Sequence, residues 1–314
     1  MSFKLFLRSM RERRDWHGSR AKRAIYAIKY AARCVIHGRA QAAWLRFIYA
    51  TPGMAAALER DRYLFDRPMH RYINSGMGIA ARYNTILHHH RFVQTHLSAS
   101  PIDAMYRDGA VTLGEIQLKD ASILLIKLAM PGGRGREGEL CLQLTNTQHQ
   151  VLSSLIFTIG DNGDNGDNGD NGDSLLIGCL QGACSELGRE AVRTLTRQSH
   201  GLRPKNLLLS MLLAFAEDRG MTHVRGVSQQ AHPFATTRGK IKADYDSFWQ
   251  ECGGQRHRDG FYDLPAREPV RDENQVESKH RSAFRKREAL RWEACHMFVQ
   301  AMHGRIGDPL RRAA

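Results

Sequence analysis

The residues best suited to bind a ligand are two cations at the start of an apolar segment. Arg203 and Lys205 flank Pro204, a residue favoured in the first turn of a helix, and Asn206 follows them. The free N–H groups and positive dipole end of such a turn attract anions. Together with Gln181, at the end of a predicted strand, these residues are predicted to hold a phosphate or pyrophosphate group. The competing interpretation is an ordinary solvated helix start.

A second group of residues could supply acid–base chemistry. Ser228, His232 and Asp244 lie at and after the end of another predicted strand, in the kind of loop that commonly carries reactive groups. Each could act as a general base, and these three are our candidate catalytic residues. Asp244 could equally cap or turn the chain before the aromatic residues that follow it. The sequence has no G-x-S-x-G or H-E-x-x-H motif to decide between the two interpretations.

Two sequence features suggest metal binding, and neither has the ligand arrangement that a metal requires. His88, His89 and His90 are consecutive, so on a helix their side chains point about 100° apart and cannot converge on one ion. The repeat DNGDNGDNGDNGD at 161–173 lacks the ligand order and the terminal glutamate of a standard calcium loop. We predict no metal site at either place, and a polar loop between two strands at the repeat.

The elements that must position these residues are predicted from hydrophobic periodicity. Helical spacing predicts helices over 5–50 with a break at Gly38, 53–60, 77–96, 186–198, 201–220 and 278–303. Strand patterns predict strands over 121–129, 139–145, 150–159, 174–181 and 222–228. Short connections between the first four strands favour antiparallel pairing. The predicted fold class is α+β, with a mixed, largely antiparallel sheet and packed helices behind a basic helical N-terminal region.

Positive charge is concentrated at the two ends of the chain. Residues 1–48 carry twelve Lys/Arg against two Asp/Glu, and residues 278–314 carry nine against three. Residues 49–277 carry 25 against 27, although the whole chain has a net charge of +14. Basic ends favour anionic partners, which include an acidic membrane surface, nucleic acid or an acidic protein. The competing interpretation is that Lys and Arg only solvate the faces of helices.

The N-terminal basic region contains an amphipathic pattern. Ile25, Ile28, Ala32 and Val35 recur at helical spacing, and Lys22, Lys29 and Arg33 share a neighbouring face. This pattern is typical of a helix that lies on an anionic membrane surface. It is equally expected of a helix that packs on its own domain with its basic side in water.

Cysteine usage and hydropathy predict the compartment. The six cysteines are scattered without a C-x-x-C pair, which fits reduced thiols better than a disulfide framework. No uncharged apolar run approaches the roughly 20 residues of a membrane span, and the N-terminus lacks the features of a signal peptide. These features predict a cytoplasmic protein without a transmembrane segment.

Several strings in order resemble one bacterial family. RGREGELCLQL, LLIGCLQG, HGLRPKNLLLSMLLAFAEDRG, VRGVSQQAHPF, IKADYDSFWQECGG, DGFYDLP and SKHRSAFRKREAL resemble the VirK/YbjX family, over about 60–303. The repeat at 161–173 departs from the family pattern. The resemblance implies a cytoplasmic bacterial protein associated with virulence and with resistance to antimicrobial peptides. It also divides the chain into a basic helical region at 1–60, a family domain at 61–303 and a disordered tail at 304–314.

The order of strands and helices also looks like that of an acyl-CoA N-acyltransferase. In that layout a cofactor pyrophosphate sits at the position of Arg203 to Asn206 in this chain. The likeness therefore implies a coenzyme A thioester as cofactor. This chain departs from the layout because the usual glycine-rich loop is reduced to Gly201. Two hypotheses remain open. One is an acyltransferase-like enzyme that acts on an envelope precursor or a small amine, and the other is a non-enzymatic basic factor that binds an acidic membrane, RNA or a protein partner.

Overall fold

The computed structural model describes residues 3–303 apart from 14, 162–171, 185, 238–242 and 270. Within these residues the ten α-helices are α1 (Phe3–Glu12), α2 (Arg20–Ile36), α3 (Gly38–Ala50), α4 (Met54–Arg60), α5 (Ile79–His96), α6 (Ala99–Asp108), α7 (Gly188–Gln198), α8 (Pro204–Asp218), α9 (Tyr245–Glu251) and α10 (Ser278–His303). The eight β-strands are β1 (Ala110–Gln117), β2 (Ile123–Ala129), β3 (Leu140–Thr145), β4 (Val151–Asp161), β5 (Asp173–Gln181), β6 (His223–Val227), β7 (Gln255–Arg256) and β8 (Phe261–Leu264). The predicted tail and most of the predicted repeat loop lie outside the described residues.

The strands form one mixed sheet in the order β1-β2-β3-β4-β5-β6-β8-β7. Every neighbouring pair is antiparallel except β5 and β6, which run parallel from the pair Ser174–His223 to the pair Ile177–Gly226. The connection between β5 and β6 therefore contains helices α7 and α8, as a parallel crossover requires. The predicted α+β class and the largely antiparallel sheet are confirmed.

The central strands are buried because their alternating side chains pack into two separate cores. Leu140, Leu142 and Leu144 of β3 point into the main core. The intervening Cys141 belongs to a small second cluster that also contains Ile156 and Cys179. The period-2 pattern that predicted this strand therefore has apolar contacts on both faces.

Helix α8 is the central helix of the main core. Its leucines, its Met211 and its Phe215 are buried, as expected for a helix that is apolar around most of its circumference. The helix packs against α10 and against β3, β4 and β5. Pro204 occupies its first position, and Gly220 follows its end at a φ of +67°, which glycine adopts without strain. Both predicted boundary signals are confirmed.

Several elements were not predicted from the sequence. Helix α6 has Pro101 in its first turn, where the N–H groups lack helical partners and a proline is tolerated. Strand β1 is half-exposed at one edge of the sheet and contains Gly114, so its apolar pattern is weak. Strands β7 and β8 have two and four residues, which is too short for alternation to be visible.

The N-terminal region is helical, as predicted, but in three pieces. Helix α1 ends before a turn that contains Gly18 at a φ of +105°, and His37 separates α2 from α3. Trp44, Leu45 and Ile48 of α3 belong to the same main core as the sheet. No helix in the described part of the chain has both the length and the apolar character needed to span a bilayer.

Candidate functional site

The predicted phosphate site at the start of α8 contains one cation that is already paired. Arg203 donates from Nε to Oδ1 of Asn206 over 2.9 Å and from Nη2 to a carboxylate oxygen of Glu251 over 2.6 Å. Lys205 is half-buried, with its Nζ 5.8 Å from the centre of the Phe248 ring, and burial lowers its pKa. Lys205 therefore remains the cation of this turn that has no carboxylate within ion-pair distance among the described residues. The assignment of this turn to a cofactor stays a prediction.

The predicted catalytic residues divide into two places. Ser228 and His232 occupy one buried turn after β6, in which the His232 N–H donates to the Ser228 carbonyl over 3.1 Å. His232 Nδ1 accepts from the Phe234 N–H, and its Nε2 lies 3.1 Å from a carboxylate oxygen of buried Glu137. This His–Glu contact was not predicted, because Glu137 is far from His232 in sequence and no motif links them.

Asp244 and Gln181 lie at the ends of other elements. Asp244 is the N-cap of α9 and accepts from the N–H and the hydroxyl of Ser247, which lowers the pKa of Asp244. This is the capping role that the competing interpretation offered for Asp244. Gln181 ends β5, where its carbonyl accepts from the Ser153 hydroxyl. The catalytic and cofactor roles of both residues stay predictions.

The three consecutive histidines of α5 have three different partners. His88 Nε2 lies 2.7 Å from Asp173, His89 accepts the Ile159 N–H, and His90 lies 3.3 Å from Glu139. Burial lowers the pKa of His89 well below its usual range. The rings of His89 and His90 are in edge contact, with centres 5.1 Å apart, and no group of three metal-ligating side chains occurs in the described residues.

A basic cleft that was not predicted lies beside the His232 turn. It has a volume of about 570 Å³, and we name it the arginine cleft. Its lining residues are Arg33, Met69, His70, Arg71, Arg82, Arg136, Pro233, Phe234, Thr236 and Thr237. No carboxylate lines it in the described part of the chain. A cleft of this size is within the range of small-molecule sites.

A glycine-rich loop positions one wall of the arginine cleft. The order G-x-G-x-x-G occurs at Gly133, Gly135 and Gly138, between β2 and β3, and Arg136 lies within it. No helix follows this loop, so it lacks the strand–helix context of a dinucleotide site. Gly135 lies against the guanidinium of Arg67 so closely that a Cβ atom would overlap it. This motif was overlooked in the prediction from sequence, although it could have pointed toward the cleft.

A second unpredicted feature is that the apolar stripe of α2 faces away from the protein. Ile28 is 67% exposed and Val35 is 74% exposed, and Ile25, Ala32 and Ile36 are exposed with them. We name these five residues the α2 stripe. The helix packs on the domain through the opposite side instead, where Tyr30 and Cys34 are buried. The stripe was predicted without Ile36, and its direction was one of two open alternatives.

The cations next to the α2 stripe face hollows on the protein surface. Lys22, Lys29 and Arg33 line a hollow of about 620 Å³ that also shares His70 with the arginine cleft. Arg33, which neighbours the α2 stripe on the same helix, lines both spaces. Helix α2 contains no Asp or Glu.

Comparison with known proteins identifies relatives of similar length. The sequence matches the family described as "Protein of unknown function (DUF535)" over residues 19–294. The "Uncharacterized protein YbjX" of Escherichia coli (strain K12) is 24% identical over 277 residues, which cover 87% of this chain and 80% of that protein. Two uncharacterized proteins of Haemophilus influenzae are 33% identical over 115 and 120 residues, covering 36% and 37% of this chain and 39% and 40% of theirs. No solved structure matches the chain.

Proposed function

The chain belongs to the family described as "Protein of unknown function (DUF535)", as its resemblance to VirK/YbjX proteins predicted, and from this premise we propose that it is a basic binding factor that docks α2 on an acidic membrane surface. The observation that carries this proposal is the exposed α2 stripe, which lies beside three cations on a helix without acidic residues. A helix of this kind lies in the plane of the interface with its apolar side among the lipids.

The energetics favour lipid as the partner of the α2 stripe. Exposed aliphatic side chains gain on the order of 1 kcal/mol each when half of their surface leaves water. Each Lys or Arg near an anionic surface adds about 1 kcal/mol. The free energy of membrane binding would thus include contributions from two apolar residues of the stripe, Ile28 and Val35, and from two cations beside it, Lys22 and Lys29. These contributions add to a weak, reversible attachment of the kind expected for a peripheral protein.

Lipid explains the α2 stripe better than the other anionic partners that the charge pattern allows. RNA is bound through cations and through aromatic side chains that stack on bases. The exposed stripe is aliphatic, and Tyr26 is the one aromatic residue that lies exposed on α2. An RNA partner would leave Ile28 and Val35 in water, whereas a bilayer would bury them.

Vesicle sedimentation tests this proposal. The full chain is expected to bind vesicles of phosphatidylglycerol but not of phosphatidylcholine. The variant Ile28→Ser/Val35→Ser should lose about tenfold or more in affinity, because two apolar contacts are removed. Both residues are exposed, so folding should be unaffected.

The matched control is Phe3→Ser/Trp292→Ser, which removes two equally exposed apolar residues outside α2. Its affinity for the vesicles should stay close to that of the unaltered chain. Equal losses in both variants, or no binding by the unaltered chain, would contradict the proposal. Stronger retention of RNA than of acidic vesicles in a competition assay would favour nucleic acid as the partner.

A second candidate function is an acyltransferase-like reaction on an envelope precursor or a small amine, and the strand order supports it. Strands β5 and β6 are parallel and stop pairing after Ile177 and Gly226, although β5 continues to Gln181. The crossover between them ends in α8, with Arg203 and Lys205 at its start. Titration calorimetry with acetyl-CoA and longer acyl-CoAs tests this candidate. Binding that Lys205→Ala abolishes would support it, and no heat with any thioester would remove it.

A further inference from the structure

The arginines of the arginine cleft, which are half-buried or exposed, differ in their partners from the buried arginines of this protein. Four buried arginines, Arg13, Arg67, Arg225 and Arg291, each contact two carboxylates. Such pairing is what a buried guanidinium requires. Among the described residues, no arginine of the cleft contacts a carboxylate within ion-pair distance. Within the described structure, positive charge is therefore brought together in the cleft with no carboxylate in contact with its arginines.

Two of the cleft arginines are held in place by neutral groups. Arg82 donates from Nε to the Met77 carbonyl over 2.8 Å and from Nη1 to the His70 carbonyl over 2.9 Å. Arg136 donates to the Tyr63 hydroxyl over 2.9 Å, and its guanidinium carbon lies 5.8 Å from the centre of the Phe234 ring. These contacts fix the guanidinium groups without neutralising them, so a ligand would not have to order them.

The charges that face the cleft reinforce one another. Burial, and next the charge of Arg71, lowers the pKa of Arg82. Arg33 lies 3.4 Å from His70. The carboxylate next to His70 is that of Asp66. Asp66 also contacts Arg13 over 2.7 Å, so its negative charge is shared with a buried arginine. A bound anion would relieve the repulsion between these cations.

We propose that the arginine cleft is a binding site for a phosphate-bearing anion. Guanidinium groups match the oxygen geometry of phosphate and bind it through paired hydrogen bonds. Thr236 and Thr237, on the cleft wall, add hydroxyl donors of the kind that phosphate oxygens accept. Because Arg33 belongs to α2, the phosphate could belong to a lipid headgroup at the docked surface or to a soluble molecule. Only the lipid-headgroup alternative rests on the proposed membrane function, whereas binding of a soluble phosphate does not.

Calorimetric titration with inorganic pyrophosphate at low ionic strength tests the site. The unaltered chain is expected to bind, and Arg33→Glu/Arg71→Glu to lose at least about tenfold in affinity. Arg71 is exposed and Arg33 is half-buried, and neither has a carboxylate partner in the described structure, so the fold should persist. Thermal unfolding of each variant checks this.

The matched control is Arg46→Glu/Arg91→Glu, which changes the net charge equally at two exposed arginines outside the cleft. Its affinity for pyrophosphate should stay within about threefold of the unaltered value. A loss as large as that of the cleft variant would mean that only overall charge matters, and it would overturn the proposal. The proposal would also be overturned if the chain failed to bind pyrophosphate and bound vesicles of phosphatidic acid and of phosphatidylglycerol equally.

Vesicles of equal surface charge separate the two sources of phosphate. If a headgroup is the ligand, the chain should prefer phosphatidic acid to phosphatidylglycerol, and Arg33→Glu/Arg71→Glu should remove the preference. If a soluble phosphate is the ligand, pyrophosphate binding should fall in that variant while the chain shows no headgroup preference. Ile28→Ser/Val35→Ser should keep pyrophosphate binding in both cases, so a failure of membrane docking can be distinguished from a failure of the cleft.

Discussion

Arg67 shows how this protein stabilises a charge in its interior. Its guanidinium contacts the carboxylates of Glu139 and Asp61, and Glu139 also lies near His90. Burial alone would raise the pKa of Glu139, but the charge of Arg67 and the contact with His90 outweigh it and lower that pKa to about 2. Burial raises the pKa of Asp61 in spite of Arg67. Glu139 is therefore the carboxylate whose negative charge compensates the buried charge of Arg67.

Replacing Glu139 by Gln should destabilise the fold by about 3 kcal/mol, because Arg67 would keep a buried charge with half of its compensation removed. Chemical denaturation at neutral pH measures this change. The control is Glu190→Gln, which removes an exposed carboxylate that contacts Arg193, and its effect should be within about 0.5 kcal/mol. Equal free energies of unfolding for the two variants would contradict this account of Glu139.

The same pair predicts a pH dependence with a definite sign. The pKa of Glu139 is lower in the folded chain than its ordinary value of 4.5, so its ionisation stabilises the fold above that value. This stabilisation should be lost as the pH falls from about 4.5 toward about 2. The difference in unfolding free energy between the unaltered chain and Glu139→Gln should shrink over this range. A difference that stays constant down to pH 2 would contradict the assignment.

Single residues of the site were predictable only where neighbours in sequence are neighbours in space. Ser228 and His232 share one turn, so their proximity followed from the sequence. Glu137 beside His232, and the convergence of Arg33 with Arg136, depend on how distant elements pack. No periodicity carries that information, and the glycine-rich loop that could have marked one wall of the cleft was overlooked.

At the scale of elements, periodicity predicted the longer helices and the central strands, but it did not predict which way α2 faces. The stripe of Ile25, Ile28, Ala32 and Val35 could have faced either a membrane or the core, and Tyr30 and Cys34 occupy the core-facing side. Tyr30 donates to the Ser9 hydroxyl and accepts from Gln41, so polar partners on α1 and α3 fix the orientation of the helix. A hydrophobic pattern in the sequence contains no information about such hydrogen bonds.

The connection between β4 and β5 should tolerate shortening. The two strands remain paired up to Asp161 and Asp173, which are the first and last residues of the Asp-Asn-Gly repeat. Replacing residues 162–171 by Asn-Gly should change the free energy of unfolding by about 1 kcal/mol or less, because loop closure depends weakly on loop length. Thermal and chemical denaturation measure the change.

A contrasting variant lies in the same hairpin. Gly178 of β5 is so close to the carbonyl oxygen of Glu137 that any Cβ atom would overlap it. Gly178→Ala should therefore destabilise the chain by about 2 kcal/mol or more. If shortening the repeat proved as costly as Gly178→Ala, the repeat would have a structural role beyond that of a connecting loop.

At the scale of the whole molecule, the net charge of +14 is supplied by the ends of the sequence, while residues 49–277 are nearly neutral. Both end regions are largely helical where they are described, and α2 and α10 carry 11 of their 21 Lys and Arg residues. The virulence association and the cytoplasmic location implied by the family resemblance stay predictions. The charge distribution suggests a mechanism of membrane binding that combines electrostatic attraction with apolar insertion. The two contributions can be separated because they depend differently on salt.

Membrane binding should therefore respond to salt in two separable parts. Raising the salt from about 0.05 to 0.5 M shortens the screening length severalfold and should weaken binding of the unaltered chain to phosphatidylglycerol vesicles. Ile28→Ser/Val35→Ser retains the cations, so its residual binding should vanish at high salt. Lys22→Ala/Lys29→Ala retains the stripe, so its binding should be weaker at low salt but less sensitive to salt. Sedimentation of all three proteins at each salt concentration decides this, because identical salt slopes would mean that charge and stripe do not act on one surface.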